Sequence, residues 1–306
     1  MNQIIVTGAT GFLGEAVSEE LALAGHTLVR TDRRESSGVQ ALDVTDAKDL
    51  DRFFALHSGV TSVVHLAAAG SGADGLVAGA SGNPASAVRT NIEGFVHVVE
   101  TAARHGVHRV VWASSTTVYG AAPSYTSAQV HEDAPFAPTT IYGSTKVACE
   151  HLGPVLAANL GVEVVSLRLP MVYGPGRWYG GSQEALIKIV DSARTSSPVD
   201  TRCWTTRTDW IHVQDAASAL RILTEVEEPS SAYHVVGHRG SLAELARQIA
   251  ATLNVAPEGI ETTDVGGPDI PLTDDSRIRT RHRWTPQYPT AATGAATFKQ
   301  PIQPNQ

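Results

Sequence analysis

The first fourteen residues constrain this chain more than any other stretch of it. Residues 3–7, Gln-Ile-Ile-Val-Thr, form a short apolar, β-branched run, the pattern of a buried strand. The run leads straight into Gly8-Ala-Thr10-Gly11-Phe12-Leu13-Gly14, after which Ala16, Val17, Leu21 and Ala24 fall at helical spacing. A glycine-rich turn lets a phosphate approach the backbone, and the helix behind it offers free N–H groups and the positive end of its dipole. Such turns are common, but one set between a first strand and a first helix predicts a site for a dinucleotide's pyrophosphate. The spacing is Gly-x-x-Gly-x-x-Gly, and Thr10, Phe12 and Leu13 are expected to contact the ligand with the three glycines. A second strand, 27–31, ends at Asp32, where a carboxylate accepts hydrogen bonds from the adenosine ribose hydroxyls. That carboxylate repels a 2′-phosphate, so NAD is the expected cofactor. Arg33 and Arg34 follow immediately and could instead bind a 2′-phosphate, which keeps NADP as the lesser alternative.

Strand and helix patterns then alternate. Asp43-Val44 closes a short third segment near the expected adenine edge, and Thr45 or Asp46 can cap a helix over 47–56. Residues 62–68 read as a buried strand running into Leu66, Ala67 and Ala68, small enough at their end for a cofactor to approach; His65 within it reads as a core histidine. Residues 69–82 are nearly all Gly, Ala and Ser and read as a flexible run, either bordering a cleft or simply at the surface. Pro84 opens a long helix to about His105 that carries Asn91, and a strand over 108–114 follows. After a loop holding Pro123, Pro135 and Pro138 come a helix over 142–159 and a strand over 162–169. The repeated strand–helix unit means a parallel, doubly wound α/β sheet of Rossmann type, with ligands at the carboxyl ends of its strands. The expected organisation is an NAD-binding domain over 1–170 and a small, discontinuous substrate lobe over 171–290 with segments returning to the first domain. A loose tail is expected over 290–306.

The 306 residues carry a formal net charge of −8 spread along the chain, and no basic cluster argues for nucleic acid or an anionic membrane. The short basic run 277–283 reads as solvated surface. Two cysteines, Cys149 and Cys203, read as reduced thiols. The first residues lack the basic and apolar regions of a signal peptide, and no stretch approaches a spanning helix, so a cytoplasmic location is expected. Neither His105/His108 nor His234/His238 is accompanied by ligands at metal spacing, so no metal is expected.

The chemistry concentrates between residues 111 and 146. Tyr142 and Lys146, four apart, share one face of a helix, and Ser115 lies at the rim of the preceding strand. A phenol, an ammonium and a hydroxyl gathered at one point make a proton-transfer site for an alcohol or ketone.

The glycine turn, Asp32, Asp43-Val44, His65-Leu-Ala-Ala68, Asn91, Ser114-Ser115, Val118-Tyr119-Gly120 and Tyr142-x-x-x-Lys146 together resemble the extended short-chain dehydrogenase/reductase family, which contains nucleotide-sugar epimerases and dehydratases. Arg168, Val172-Tyr173-Gly174-Pro175 and the segment Asp209–Asp215 extend the resemblance to roughly residues 3–290. It implies Ser115 as the hydroxyl partner, Tyr142 as acid/base, and Lys146 as its cationic neighbour and a ligand of the nicotinamide ribose. Cofactor contacts are expected also from Leu66, Ala67, Ala68, Asn91, Pro170 and Val172. A free phenol is only about 0.1% ionised at pH 7, so bringing it to neutrality takes about 4 kcal/mol, for which Lys146 and a positive nicotinamide are the right charges. The resemblance further implies a homodimer in which the helices over 85–105 and 142–159 pair across a two-fold, although their apolar faces fit packing on the sheet equally well.

Departures bear on the substrate. Thr116 and Thr117 stand where dehydratases carry acidic residues, and Met171 stands where nucleotide-sugar enzymes commonly have Asn. The arginine expected directly before Asp209 is displaced by one, to Arg207. Ser115, Thr116, Thr117, Met171, Arg177 and Arg207 are the expected substrate contacts, the two arginines for a phosphate or carboxylate unless they form surface ion pairs. Three readings follow. One is an NAD-dependent oxidoreductase acting on a secondary alcohol or ketone of a sugar, sugar acid or similar polar molecule. The second is a nucleotide-sugar 4-epimerase that retains its NAD, and the third a non-catalytic NAD-binding protein, which would have no need of all three catalytic residues.

Overall fold

A computed structural model describes residues 2–70 and 75–299. The first half runs β1 (Gln3–Thr7), α1 (Phe12–Leu23), β2 (Thr27–Asp32), β3 (Gln40–Ala41), α2 (Ala47–Leu56), β4 (Val60–His65) and α3 (Gly75–Gly82). A long helix follows, made of α4 (Pro84–Val88), a π-helical turn (Arg89–Glu93) and α5 (Gly94–Arg104). Then come β5 (Arg109–Ser115), β6 (Gln129–Val130), α6 (Ile141–Leu160) and β7 (Glu163–Leu169). The second half holds β8 (Met171–Tyr173), α7 (Glu184–Thr195), β9 (Thr201–Trp204), β10 (Thr208–His212), α8 (Val213–Glu225) and β11 (Ala232–His234). It continues with β12 (His238–Gly240), α9 (Leu242–Thr252), β13 (Ile260–Thr263), β14 (Leu272–Thr273), α10 (Ser276–His282) and α11 (Ala291–Ala296).

Seven strands form one sheet in the order β11-β7-β5-β4-β1-β2-β3, and every neighbouring pair is parallel. Strand residues alternate between two cores. Ile4 and Val6 pack with α1 and α8 through Val17, Leu21, Leu220 and Leu223. Ile5 and Val63 point the other way, to Leu50, Phe53, Phe95 and Val99 on α2 and α5. Burial on both faces is why the strands read as nearly continuous apolar runs. A third core, around Tyr173, Trp204, Trp210, Leu245 and Ile249, belongs to the second half alone. There β8, β10 and β12 form a small mixed sheet.

The two halves interlock. The edge strand β11 comes from the second half yet pairs with β7, Tyr233 opposite Leu167. Two stretches depart from expectation. Of the expected flexible run 69–82, residues 75–82 form helix α3; residues 71–74 lie outside the described residues. Of the expected loose tail, α11 starts at a capping box in which Thr290 and Thr293 bond each other, and a 3₁₀ turn, Thr297–Lys299, continues it. Gly294 of α11 lies so close to the Tyr173 hydroxyl that a Cβ there would overlap it. Only residues 300–306 of that tail lie outside the described residues. Among the described residues no helix is long and apolar enough to cross a membrane.

Candidate active site

The glycine turn is fixed by close backbone contacts. Gly8 has φ +70°, a conformation that penalises a side chain, and a Cβ there would stand 2.8 Å from the Ala67 nitrogen. A Cβ on Gly14 would overlap the Gly8 carbonyl oxygen. The turn therefore folds back on itself and lies against Leu66 and Ala67 at the carboxyl end of β4. No side chain caps the start of α1 at Gly11, so its first amides keep their anion-binding capacity. Asp32, at the end of β2, accepts from the amide and hydroxyl of Thr10 (3.2 and 2.7 Å) and from the amide of Arg33 (2.7 Å). A bare helix N-terminus, a cradle closed to Cβ atoms and a carboxylate at the next strand end suit a dinucleotide.

Three residues expected at the cofactor make contacts within the protein. One oxygen of Asp43 accepts from the amide and hydroxyl of Thr45 (2.9 and 2.7 Å), within the turn that leads into α2. Val44 lies against Gly94, where a Cβ would stand 2.9 Å from its Cγ2. Asn91 is buried in the π turn, where its carbonyl oxygen accepts from the Ala69 amide (2.8 Å) and its amide donates to Thr145 (2.9 Å). Both ends of its side chain therefore hold protein together, tying the segment after β4 to α6.

Ser115 ends β5 and caps the short turn 116–118, its hydroxyl oxygen accepting from the amide and hydroxyl of Thr117 (3.2 and 3.0 Å). Helix α6 starts at Thr140, whose hydroxyl accepts from the Gly143 amide (3.0 Å). Gly143 packs on the Thr117 carbonyl so tightly that a Cβ would overlap it. That contact sets the first turn of α6, and Tyr142 with it, against the Ser115–Thr117 turn. Lys146 follows one helical turn later. Its ammonium donates to the Ala113 carbonyl (2.7 Å) and lies 5.3 and 5.5 Å from the ring centres of Trp112 and Tyr142.

The electrostatics differ from expectation. Burial pushes the Tyr142 phenol above its ordinary range, with the nearby Tyr179 phenol adding to the shift. Burial also lowers Lys146, to about 8. The protein alone therefore does not acidify the phenol, because Lys146 is bonded to a carbonyl and its proximity does not outweigh desolvation. His65 in β4 pairs with the Thr7 hydroxyl (2.8 Å) and is lowered by burial to about 3, a neutral core histidine as the sequence suggests.

Behind this cluster is a buried polar network. Glu150, one turn beyond Lys146, takes two bonds from Arg168 (2.8 and 2.9 Å) and accepts from Ser114 and Ser166 (2.6 and 3.1 Å). Arg168 also donates to Tyr119 (2.8 Å), whose hydroxyl meets His234 (2.7 Å). The network joins β5, α6, β7 and β11 directly behind the reacting face.

The second half brings Pro170, Met171 and Val172 past the end of β7. Arg177 lies flat on the Tyr179 ring, 3.9 Å from its centre, and donates to the carbonyls of Val172 (3.2 Å) and Tyr179 (3.1 Å). Tyr179 in turn meets Phe12 of the glycine turn edge-on at 6.4 Å. Sequence reasoning missed Tyr179 and Gln183, which sit in an irregular segment with no spacing to reveal them. Arg207 is placed apart from this cluster. It is exposed and lines a cleft of about 390 Å³ with His238, Arg239, Glu244, Asp275 and Arg279, none of them a candidate catalytic residue. Arg207 ends the loop that leads into β10, one residue short of the strand. That cleft is electrically balanced, Arg239 pairing with Asp209 and Arg279 with Asp275 (2.8 Å each).

With this geometry in place, comparison with known proteins defines the class. The model of the NAD dependent epimerase/dehydratase family matches residues 4–236, and the chain belongs to that family. It is 33% identical over 198 residues to UDP-glucuronate 4-epimerase 1 of Arabidopsis thaliana, a match over 56% of this chain and 43% of that protein. The chain thus spans less than half the length of that relative. It is 24% identical to the UDP-glucose 4-epimerase of Corynebacterium glutamicum over 94% of this chain and 91% of that one. Among solved structures, an L-threonine dehydrogenase from Cupriavidus necator in its holo form superposes with a TM-score of 0.81 at 26% identity, covering 97% and 98% of the two chains. The extended short-chain dehydrogenase resemblance and the Rossmann-type fold are borne out, and NAD is the family's cofactor.

Proposed function

We propose that this chain is an NAD-dependent oxidoreductase that interconverts a secondary alcohol and its ketone on a sugar, sugar acid or similar polar small molecule. The observation that carries the reading is the packing of the first turn of α6, which carries Tyr142, on the Ser115–Thr117 turn, with Lys146 one turn on bonded to the Ala113 carbonyl of β5. NAD⁺, when bound, supplies the hydride acceptor and a positive ring. In this reading Tyr142 takes the hydroxyl proton as the carbon loses hydride, and returns it when a ketone is reduced. The Ser115 hydroxyl, which accepts from Thr117, donates its own proton to the reacting oxygen. Lys146 holds its charge one turn below the phenol and reaches the nicotinamide ribose. Gly8, Gly11, Gly14 and the amides of Phe12 and Leu13 hold the pyrophosphate, and Asp32 holds the adenosine ribose.

A 4-epimerase is the second reading, favoured by the two epimerase relatives. Against it stand Met171 and the place of Arg207 in a separate cleft, which remove two groups expected at a nucleotide-sugar's phosphates. Quantifying the nucleotide released on denaturing the purified protein separates the two. Near-stoichiometric NAD favours the epimerase cycle, which never releases its cofactor. A site that binds added NAD reversibly favours the dehydrogenase, to be followed by NADH absorbance over a panel of alcohols. Tyr142→Phe is expected to lower turnover by about 10³-fold with NAD binding nearly intact; a variant that keeps its turnover and loses binding instead sinks the assignment.

A homodimer working in the cytoplasm completes the proposal. Val88 (49% exposed) in the helix over 84–104, and Val155 (57%) and Leu160 (41%) in α6, present apolar surface on the two helices expected to pair.

A further inference from the structure

Arg177 stands in an unusual environment. It is largely desolvated, which lowers its pKa, and among the described residues no carboxylate pairs with it. Two ring faces and two carbonyls hold it, Tyr179 at 3.9 Å, Phe12 at 5.8 Å, and the oxygens of Val172 and Tyr179. Its Nη2 donates to none of these. Beside it, the Gln183 amide nitrogen donates to the same Val172 carbonyl at 3.1 Å, although Gln183 is 2% exposed and its own carbonyl oxygen has no donor. A guanidinium without counter-charge among the described residues and a buried acceptor without a donor, converging on one carbonyl, form a site that lacks its ligand's groups. The site adjoins the glycine turn of the cofactor cradle, since Tyr179 bridges from Arg177 to Phe12.

We propose that Arg177 and Gln183 recognise a carboxylate with a hydrogen-bond donor beside it, so that the oxidised molecule is a small hydroxy acid. Arg177 pairs with the carboxylate, and the Gln183 carbonyl accepts from the neighbouring hydroxyl or ammonium. A phosphate would suit the pair less well, because it brings only acceptors to an orphaned acceptor. This rests on the oxidoreductase reading for the chemistry, but not for the binding.

The test uses the NAD-loaded Tyr142→Phe protein, in which turnover is off. Binding is followed through tryptophan fluorescence, Trp178 being the immediate neighbour of Arg177. Matched probes isolate the carboxylate: D-galacturonate against D-galactose, and L-threonine against its amide. At least one acid is expected to bind tenfold or more tighter than its neutral partner. Adding Arg177→Met should erase that preference, Arg177→Lys should restore part of it, and Gln183→Met should weaken the acid alone, all with NAD affinity unchanged. Equal binding within both pairs overturns the proposal. So does a loss of NAD affinity in Arg177→Met, which would give the guanidinium to the cofactor's phosphates, or tighter binding of UDP-glucose than of either acid. Wild-type protein is assayed in parallel for NADH. An acid bound through Arg177 but never oxidised would overturn the oxidoreductase reading and leave the carboxylate site standing.

Discussion

Lys146 is a cation held where water cannot reach it, and its titration should register in stability. Its folded pKa of about 8 lies below the ordinary 10.5, so the unfolded chain binds more protons between those values. Stability should therefore rise with pH from 8 to 10.5, by roughly 3 kcal/mol in all. Urea unfolding at pH 7 and pH 10 should show this rise in the native protein and its loss in Lys146→Met; parallel curves for the two would refute the assignment. Glu150 is the complementary case. Glu150→Gln leaves the Arg168 guanidinium buried with its charge uncompensated and should cost about 3–5 kcal/mol in chemical denaturation. Replacing both by apolar residues of similar volume should cost far less. At this scale the sequence was most legible where a residue type is forced by a local requirement, as at Gly8, Asp32, Tyr142 and Lys146. It was least legible where a residue's role depends on which way its strand faces. Arg207 shows a related limit: the residue type met the expectation, but the loop before β10 places it in another cleft. Asn91 has a side chain suited to a ligand, yet partners distant in sequence take up the hydrogen bonds at both its ends, while Asp43 gives one oxygen to the adjacent Thr45.

Among the elements, the glycine turn and the start of α6 both depend on backbone approaching backbone. Gly14→Ala would drive a methyl into the Gly8 carbonyl, and the turn must open to accept it. We expect a loss of about 1–3 kcal/mol together with weakened NAD binding, measured by denaturation and calorimetric titration. Gly143→Ala makes the parallel clash with Thr117 and should lower turnover with little effect on NAD binding, because it displaces Tyr142 and spares the cradle. Two of the elements that sequence reasoning missed share a composition. Helices α3 and α11 consist mostly of Gly, Ala, Ser and Thr, which leaves no apolar stripe to read. Tertiary contact sustains them instead, Ala80 packing with Tyr142 and Gly294 resting on Tyr173. The π turn at Arg89–Glu93 was likewise invisible, since an extra residue in a helical turn leaves no mark on composition.

For the whole molecule, the proposed dimer makes the simplest prediction. Charging two exposed apolar positions, Val88→Asp with Val155→Asp, should halve the mass found by sedimentation while leaving the circular dichroism spectrum unchanged. A native protein already monomeric at micromolar concentration would exclude the dimer. The pairing of β11 with β7 sets a different constraint. Residues 1–170 look like a portable cofactor-binding module, but cutting there removes the strand that closes the sheet and α8 from one of its cores. The shortened chain would present the bare edge of β7 to any other strand in solution. Such a fragment should precipitate or dimerise edge to edge, whereas adding residues 171–299 as a separate chain should rescue it. For protein engineering, a split reporter cut near residue 170 would recover NAD binding only when its two pieces meet.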